Sequence, residues 1–287
     1  MKQHPIVLSV LLSNRCFVIA VMLALPLSAV GGSSCTLPTT TSVPAAQVYR
    51  GLPYSPGERE EYAVSYMGLP TGYARLEVRP PTLWEGLWHQ VYEADVRTGK
   101  WYRMIFVGHD SILAYSRPAA GAASHYFMEQ DEGRMLGKRT HRHTEVHFDQ
   151  GKCTATETIQ EPDKAPQVEQ MEVDSGVMDT LSATFRLRTF DYQPGESVRL
   201  PVYSSHKSWW LEAEALAREE IEVPAGVFST IKLRLHTYLG DALQQKGDLQ
   251  VWIAVDRPER PMVQVDAEVR IGSLQLKLIH FQPGKPP

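Results

Sequence analysis

The chain is short of cysteine, of unbalanced charge and of recognisable catalytic motif, and each shortage removes a class of protein. Three cysteines in 287 residues cannot build the framework of a small disulfide scaffold, and a chain of this length needs none to bury a core. Lysine and arginine number 29 against 33 aspartates and glutamates, so no strong field of one sign exists to release counterions from a nucleic acid. With 43% hydrophobic and 22% charged residues, the composition is not that of a disordered chain. There is no G-x-S-x-G elbow, and Gly137-Lys138 lacks the preceding glycine and the strand-to-helix setting of a phosphate-cradling loop.

What is present starts at the N-terminus. Lys2 and Arg15 precede an uncharged run, Cys16–Val30, which is followed by Gly31, Gly32, Ser33 and Ser34. Basic, apolar and small residues in that order are a secretory signal. The run is shorter than the roughly 20 residues of a comfortable membrane span, and a retained anchor that recruits part of Pro5–Ser13 is the alternative. No second run of spanning length follows. Cys35 comes next, before the Thr/Pro/Ala-rich stretch Thr36–Val48, which reads as a tether. The combination resembles a bacterial lipoprotein signal, which implies lipidation of Cys35 and a membrane partner through that anchor. Gly32 departs from the aliphatic residue usual three positions before such a cysteine, so ordinary cleavage near Gly31 or Gly32 stays open. The expected organisation is a signal peptide over 1–34, a tether over 35–56 and a single β-rich domain over 57–283. Because residues 1–34 carry Lys2, Arg15 and no acid, their removal takes the net charge from −4 to −6, a statement about solubility. Cys153 is then alone in the folded part, and no internal disulfide is expected there.

From Glu58 onward the dominant hydrophobic period is two. Tyr62, Val64 and Tyr66 alternate with polar residues, as do Ala74, Leu76 and Val78, and the pattern returns at Leu211–Ala217, Ile231–Leu235, Leu249–Val255, Val263–Val269 and Leu274–Leu278. Such alternation marks strands with one apolar and one wet face. Gly68–Gly72 is expected as a hairpin loop, and Pro224–Gly226, Gly240-Asp241 and Arg257-Pro258 as turns. Short connections favour an antiparallel meander over βαβ units. Two segments depart from this period. Val177–Arg188, with Val177, Met178, Leu181 and Phe185 spaced by three to four, reads as an amphipathic helix capped by Asp174 or Ser175. Lys100–Val107 is ambiguous between helix and strand. The polar stretch Glu161–Gln170 is expected as the weakest point between two halves. The fold expected is all-β: one long curved antiparallel meander forming a barrel or half-barrel with the helix packed on it, the alternative being a two-sheet sandwich.

Several segments, in order, resemble the bacterial family catalogued as domain of unknown function 3108. They are Gly57–Tyr62 with Val64–Gly68, Gly72–Val78, Asp179–Ala183, Ile221–Phe228 and Lys246–Trp252. The resemblance spans about Gly57 to Phe281 and implies an exported, β-rich protein of mostly Gram-negative bacteria; together with the lipoprotein-like signal, the location expected is the periplasm, anchored to the outer membrane. It supplies no catalytic residue, and Tyr126–His147 does not match the family pattern.

The sharpest polar constellation is His141-Arg-His143-Thr-Glu145-Val-His147. On a strand His141, His143 and His147 share one face, but alternate residues lie about 6–7 Å apart, too far for one metal to collect more than two of them. That face is read as solvated, with Val146 and Phe148 buried behind it, and no metal or other cofactor is expected. Ser204-Ser205-His206 is adjacency in sequence, not a triad, so no catalytic residue is assigned. Trp88, Trp101, Trp209, Trp210 and Trp252 are candidate aromatics lining the barrel or its mouth, where a lipid or other hydrophobic ligand could bind. These observations favour a non-enzymatic envelope protein binding a hydrophobic ligand or an envelope component. A structural or assembly factor contacting another envelope protein is the second reading, and a metal-dependent hydrolase the third.

Overall fold

The computed structural model describes residues 43–285 apart from 105–106, 119, 134–136, 138, 241, 244–247 and 270–271. The signal run, Cys35 and the first part of the tether lie outside the described residues.

Sixteen strands form a single sheet. The first eight are β1 (Arg59–Tyr66), β2 (Leu69–Trp84), β3 (Leu87–Thr98), β4 (Val107–Ser116), β5 (Ala123–Gly133), β6 (Arg139–Asp149), β7 (Thr154–Gln160) and β8 (Gln167–Glu172). They are paired each with the next as an antiparallel meander. The chain then crosses through β9 (Met178–Asp179) and helix α1 (Thr180–Leu187) into β10 (Ser197–Ser204), β11 (Lys207–Val223), β12 (Gly226–Leu239), β13 (Ala242–Leu243), β14 (Leu249–Ala254), β15 (Met262–Glu268) and β16 (Ser273–Gln282). This second meander joins the first by antiparallel pairing of β16 with β1, Val64 opposite Leu276. The resulting order is β8-β7-β6-β5-β4-β3-β2-β1-β16-β15-β14-β12-β11-β10-β9, with β13 beside β12.

One face of this sheet makes the core. Tyr62, Val64, Ala74, Leu76, Tyr92, Ala94, Ile112, Leu211, Ala213, Ile231, Leu233, Leu276 and Leu278 are buried in one cluster with Leu181 and Phe185 of α1. Residues from so many successive strands can share one cluster only if the sheet curls around it, as the period-two pattern requires. The two edges approach on the far side from the β1–β16 pairing. Tyr203 of β10 packs edge-on against Phe148 of β6, with ring centroids 5.3 Å apart. The sheet is therefore barrel-like, and among the described residues no strand ladder joins its edges β8 and β9. Edge strand β8 is largely exposed and carries Glu169 and Glu172, charges that discourage pairing with another chain.

The helix starts later than the periodicity suggests. Met178 and Asp179 are extended and pair in parallel with Val202 and Tyr203, and the cap is Asp179, not Asp174 or Ser175. Its Oδ1 accepts from the backbone N–H of Leu181 and of Ser182, both at 2.9 Å. Asp174 is instead occupied by Ser208, whose hydroxyl donates to Oδ2 at 2.5 Å. Phe185 stacks on Tyr92 at 4.3 Å and so holds the helix within the curl of the sheet.

Four further expectations change. The β1–β2 turn is the pair Met67-Gly68, both at positive φ, and residues 69–72 already belong to β2. Gly72 is required there by close approach, since a Cβ would stand 2.4 Å from the Arg97 carbonyl oxygen of β3. Tyr102–Met104 form only a 3-10 turn, and Val107 begins β4. Residues 161–166 are the hairpin loop of β7 and β8, so the chain passes between the two halves of the sheet after β8 rather than there. Cys153, in the turn after β6, is disulfide-bonded, which corrects the expectation of a lone thiol. The chain has two other cysteines, Cys16 and Cys35, both outside the described residues. Among the described residues no helix is long and apolar enough to cross a membrane.

Candidate functional site: an apolar cavity beside a buried ion cluster

Alternating strand residues and one face of α1 line a partly open cavity of about 110 Å³. Its walls are Tyr62, Ala74 and Leu76 on β1 and β2, Leu181, Ala183, Thr184 and Leu187 on α1, and Leu211, Leu235, Val251, Met262, Leu274 and Leu276 on the second meander. An apolar cavity of about 150 Å³ stays dry and takes a six-carbon ring, so by proportion this one holds about four carbons.

At the C-terminal end of α1 the cavity wall is fixed by a buried ion cluster. Arg188, 1% exposed, sets Nη2 2.7 Å from Glu58 Oε1 and Nη1 3.4 Å from Glu60 Oε1. It also donates to the carbonyls of Arg260 and Glu259, at 2.9 and 2.6 Å. Tyr62 Oη lies 2.7 Å from Glu60 Oε2 and 2.8 Å from the Met262 carbonyl oxygen. One guanidinium thus faces two carboxylates in dry surroundings. Burial pushes the Glu58 carboxyl well up, against the opposing pull of Arg188. Glu60 and Glu58 hold the Arg188 proton more firmly than usual, although burial acts the other way. At the other end of the helix, burial pushes Asp179 up to about 6 against the hydrogen bonds from Ser182 and Leu181.

A second hollow of about 80 Å³, of mixed apolar and polar lining, lies where the sheet edges meet, walled by β5, β6, β7, the start of α1, the end of β10 and the β10–β11 turn. There Tyr203 donates to Glu157, and His206 Nδ1 lies 2.9 Å from Glu157 Oε2 and 3.5 Å from Glu169 Oε2. These contacts join β10 and the β10–β11 turn to β7 and β8 across the seam. His206 faces carboxylates, and no serine is hydrogen-bonded to it among the described contacts.

The tryptophans are scattered, and none of the five is among the residues walling the apolar cavity. Trp88 is half-buried against the core, Trp101 is 84% exposed, and Trp209 is buried with its indole N–H on the Ser204 carbonyl at 2.8 Å. Trp210 is half-buried beneath the Arg199 guanidinium, and Trp252 donates to the Glu219 carboxylate with Lys232 over its ring. The histidine face is divided. His143 Nδ1 and His141 Nε2 approach opposite oxygens of Glu129, at 2.6 and 3.5 Å, while His147 stands apart, directly across from His125. Val146 and Phe148 are buried behind them. His125 escaped the sequence reading because it lies on a different strand, 22 positions away along the chain; only the β5–β6 register brings it to His147. The cavity walls carried no signal beyond ordinary alternation.

A curled, incompletely closed antiparallel sheet around one internal helix defines a β-barrel-like protein. The profile of the protein family of unknown function DUF3108 matches residues 61–279, and the chain belongs to that family. Among solved structures, it is similar to a β-barrel-like protein of the DUF1849 family from Brucella abortus, with TM-score 0.51 and 7% identity over 80% of this chain and 98% of that one. At that identity the likeness is one of fold. Weaker superpositions involve a candidate exported protein with a YmcC-like fold from Bacteroides fragilis (TM-score 0.29, 11% identity, 80% and 98% covered). Another involves a candidate lipoprotein from Parabacteroides distasonis (TM-score 0.30, 11% identity, 81% and 98% covered). No curated protein matches the chain.

Proposed function

We propose that this protein is an exported, non-enzymatic lipoprotein of the bacterial envelope, anchored to the outer membrane through Cys35, that holds a hydrophobic ligand inside its curled sheet. The observation that carries the ligand reading is the cavity between α1 and the second meander, walled almost wholly by aliphatic side chains. At about 110 Å³ it admits a short length of an acyl chain, so a longer ligand would require the helix to shift. The N-terminal signal and Cys35 support the location.

Native mass spectrometry of the protein purified from its own membrane tests the reading. A co-purifying lipid, lost when Ala74→Leu fills the cavity, is the expected result. Protein that is empty in every preparation, and that fails to take up added fatty acid, refutes ligand binding and favours the structural or assembly role.

A further inference from the structure

The tip of the β2–β3 hairpin bends over the outer face of the sheet and places a carboxylate beside two imidazoles. Trp84 packs on Tyr115, His125 and Phe127, at 5.5, 5.1 and 6.1 Å between centroids. The next residue, Glu85, thereby comes to the β5–β6 pair, where His125 and His147 are direct cross-strand partners with rings 4.5 Å apart. One ligating atom from each of Glu85, His125 and His147 lies within 4.8 Å of the other two. Glu85 Oε2 and His147 Nε2 are 4.0 Å apart.

Two details separate this trio from an accidental surface group. His125 is 4% exposed, and its Nδ1 is buried with no hydrogen-bond partner. A buried nitrogen left without a partner costs stability unless something meets it. Glu85 sits at φ +48 in the two-residue turn with Gly86, a position where asparagine or glycine is the favoured choice.

We propose that Glu85, His125 and His147 bind a borderline divalent cation, with Zn²⁺ as the best match to two imidazoles and a carboxylate. Ligands about 2.1 Å from a tetrahedral ion stand about 3.4 Å apart, so the exposed Glu85 and His147 side chains need to close by up to about 1.4 Å from the 4.8 Å envelope. The fourth position is left to solvent or to a group from outside. Bound metal would fasten the hairpin tip to β5 and β6. His141 and His143 are not part of the site, since both are engaged by Glu129 on the same face.

The test uses the untagged exported protein, stripped with chelator and titrated with Zn²⁺ by calorimetry and with Co²⁺ by visible absorption. One equivalent should bind, with affinity lowered at least ~10-fold in Glu85→Gln and in His147→Gln, since even the loss of an outer partner weakens metal sites by that much. His143→Gln should bind as the wild type does. Both Glu85 and His147 are solvent-facing, so neither change should unfold the protein, which circular dichroism verifies. Any other pattern overturns the assignment: no saturable binding, binding that survives either of the first two substitutions, or loss in His143→Gln.

Discussion

Replacing Arg188 by methionine removes a charge while keeping most of the volume of the side chain, and the surroundings set the consequence. Glu58 and Glu60 are 1% exposed each, as is Arg188 itself, and the carbonyls of Glu259 and Arg260 take their hydrogen bonds from the same guanidinium. Removing one partner of a buried ion cluster costs about 3–5 kcal/mol, because the charges left behind have no compensation. In a domain of this size 1 kcal/mol moves the melting temperature by about 2–4 °C, so Arg188→Met should melt some ~6–20 °C below the wild type at neutral pH. The pH dependence has a fixed sign. Glu58 has its carboxyl raised above the ordinary 4.5 in the folded state, so the folded form holds the proton more tightly than the unfolded chain. Its contribution is most favourable below 4.5 and declines as pH rises above that value. Without Arg188 the decline should be steeper, and adding Glu58→Gln should recover part of the loss. Thermal melts followed by circular dichroism at pH 5 and pH 8 provide the measurement. A loss under ~1 kcal/mol at both pH values would refute the assignment of this cluster as the fastening of α1.

Two further outcomes are expected. Asp179, raised from 3.8 to about 6, makes stability fall as pH rises from 3.8 through 6, by at most about 3 kcal/mol at 1.36 kcal/mol per unit. Asp179→Asn keeps an oxygen to cap α1 and should abolish that slope in urea melts at pH 4 and 7; an unchanged slope sinks the argument. A diacylglycerol thioether and a disulfide need the same sulfur, so Cys35 cannot at once be acylated and be the partner of Cys153. Radioactive palmitate should label the wild type and not Cys35→Ala; Cys153 is disulfide-bonded in the structure, so labelled protein whose Cys153 reacts with maleimide without reductant has acylated Cys35 in place of any bond between the two. An unlabelled wild type disposes of the lipid anchor.

Alternation made the strands legible, because Leu274, Leu276 and Leu278 or Ile231, Leu233 and Leu235 can be apolar at every second position only on a sheet with one dry face. It could not reveal that β1 pairs with β16, since nothing local to Val64 points to Leu276. The helix boundary was misplaced for a related reason: Val177 and Met178 fit a helical stripe, yet tertiary pairing with β10 draws them into extended structure. Gly68 signalled a turn, but the turn needed only Met67 and Gly68, and Pro70 was absorbed into the strand. The polar groups were least legible of all. His141, His143 and His147 catch the eye as a row, whereas the structure regroups them by strand register, with Glu129 for two and His125 for the third. Arg188 and Glu58 look like ordinary surface charges in sequence, and their burial follows from where the helix end meets β1.

The joining of the two meanders through β1 and β16 also has a bearing on the order of assembly. Pairings within each half close loops of a few to some tens of residues, whereas Val64 meets Leu276 only by closing nearly the whole domain. Loop-closure entropy puts such a contact last. While the chain is being threaded, the first half can therefore form its hairpins, but the sheet has no continuous core until the final strand has emerged. A protein arranged this way stays unsealed until its last strand arrives, and a truncation of β16 would leave two separate half-sheets rather than a shortened barrel.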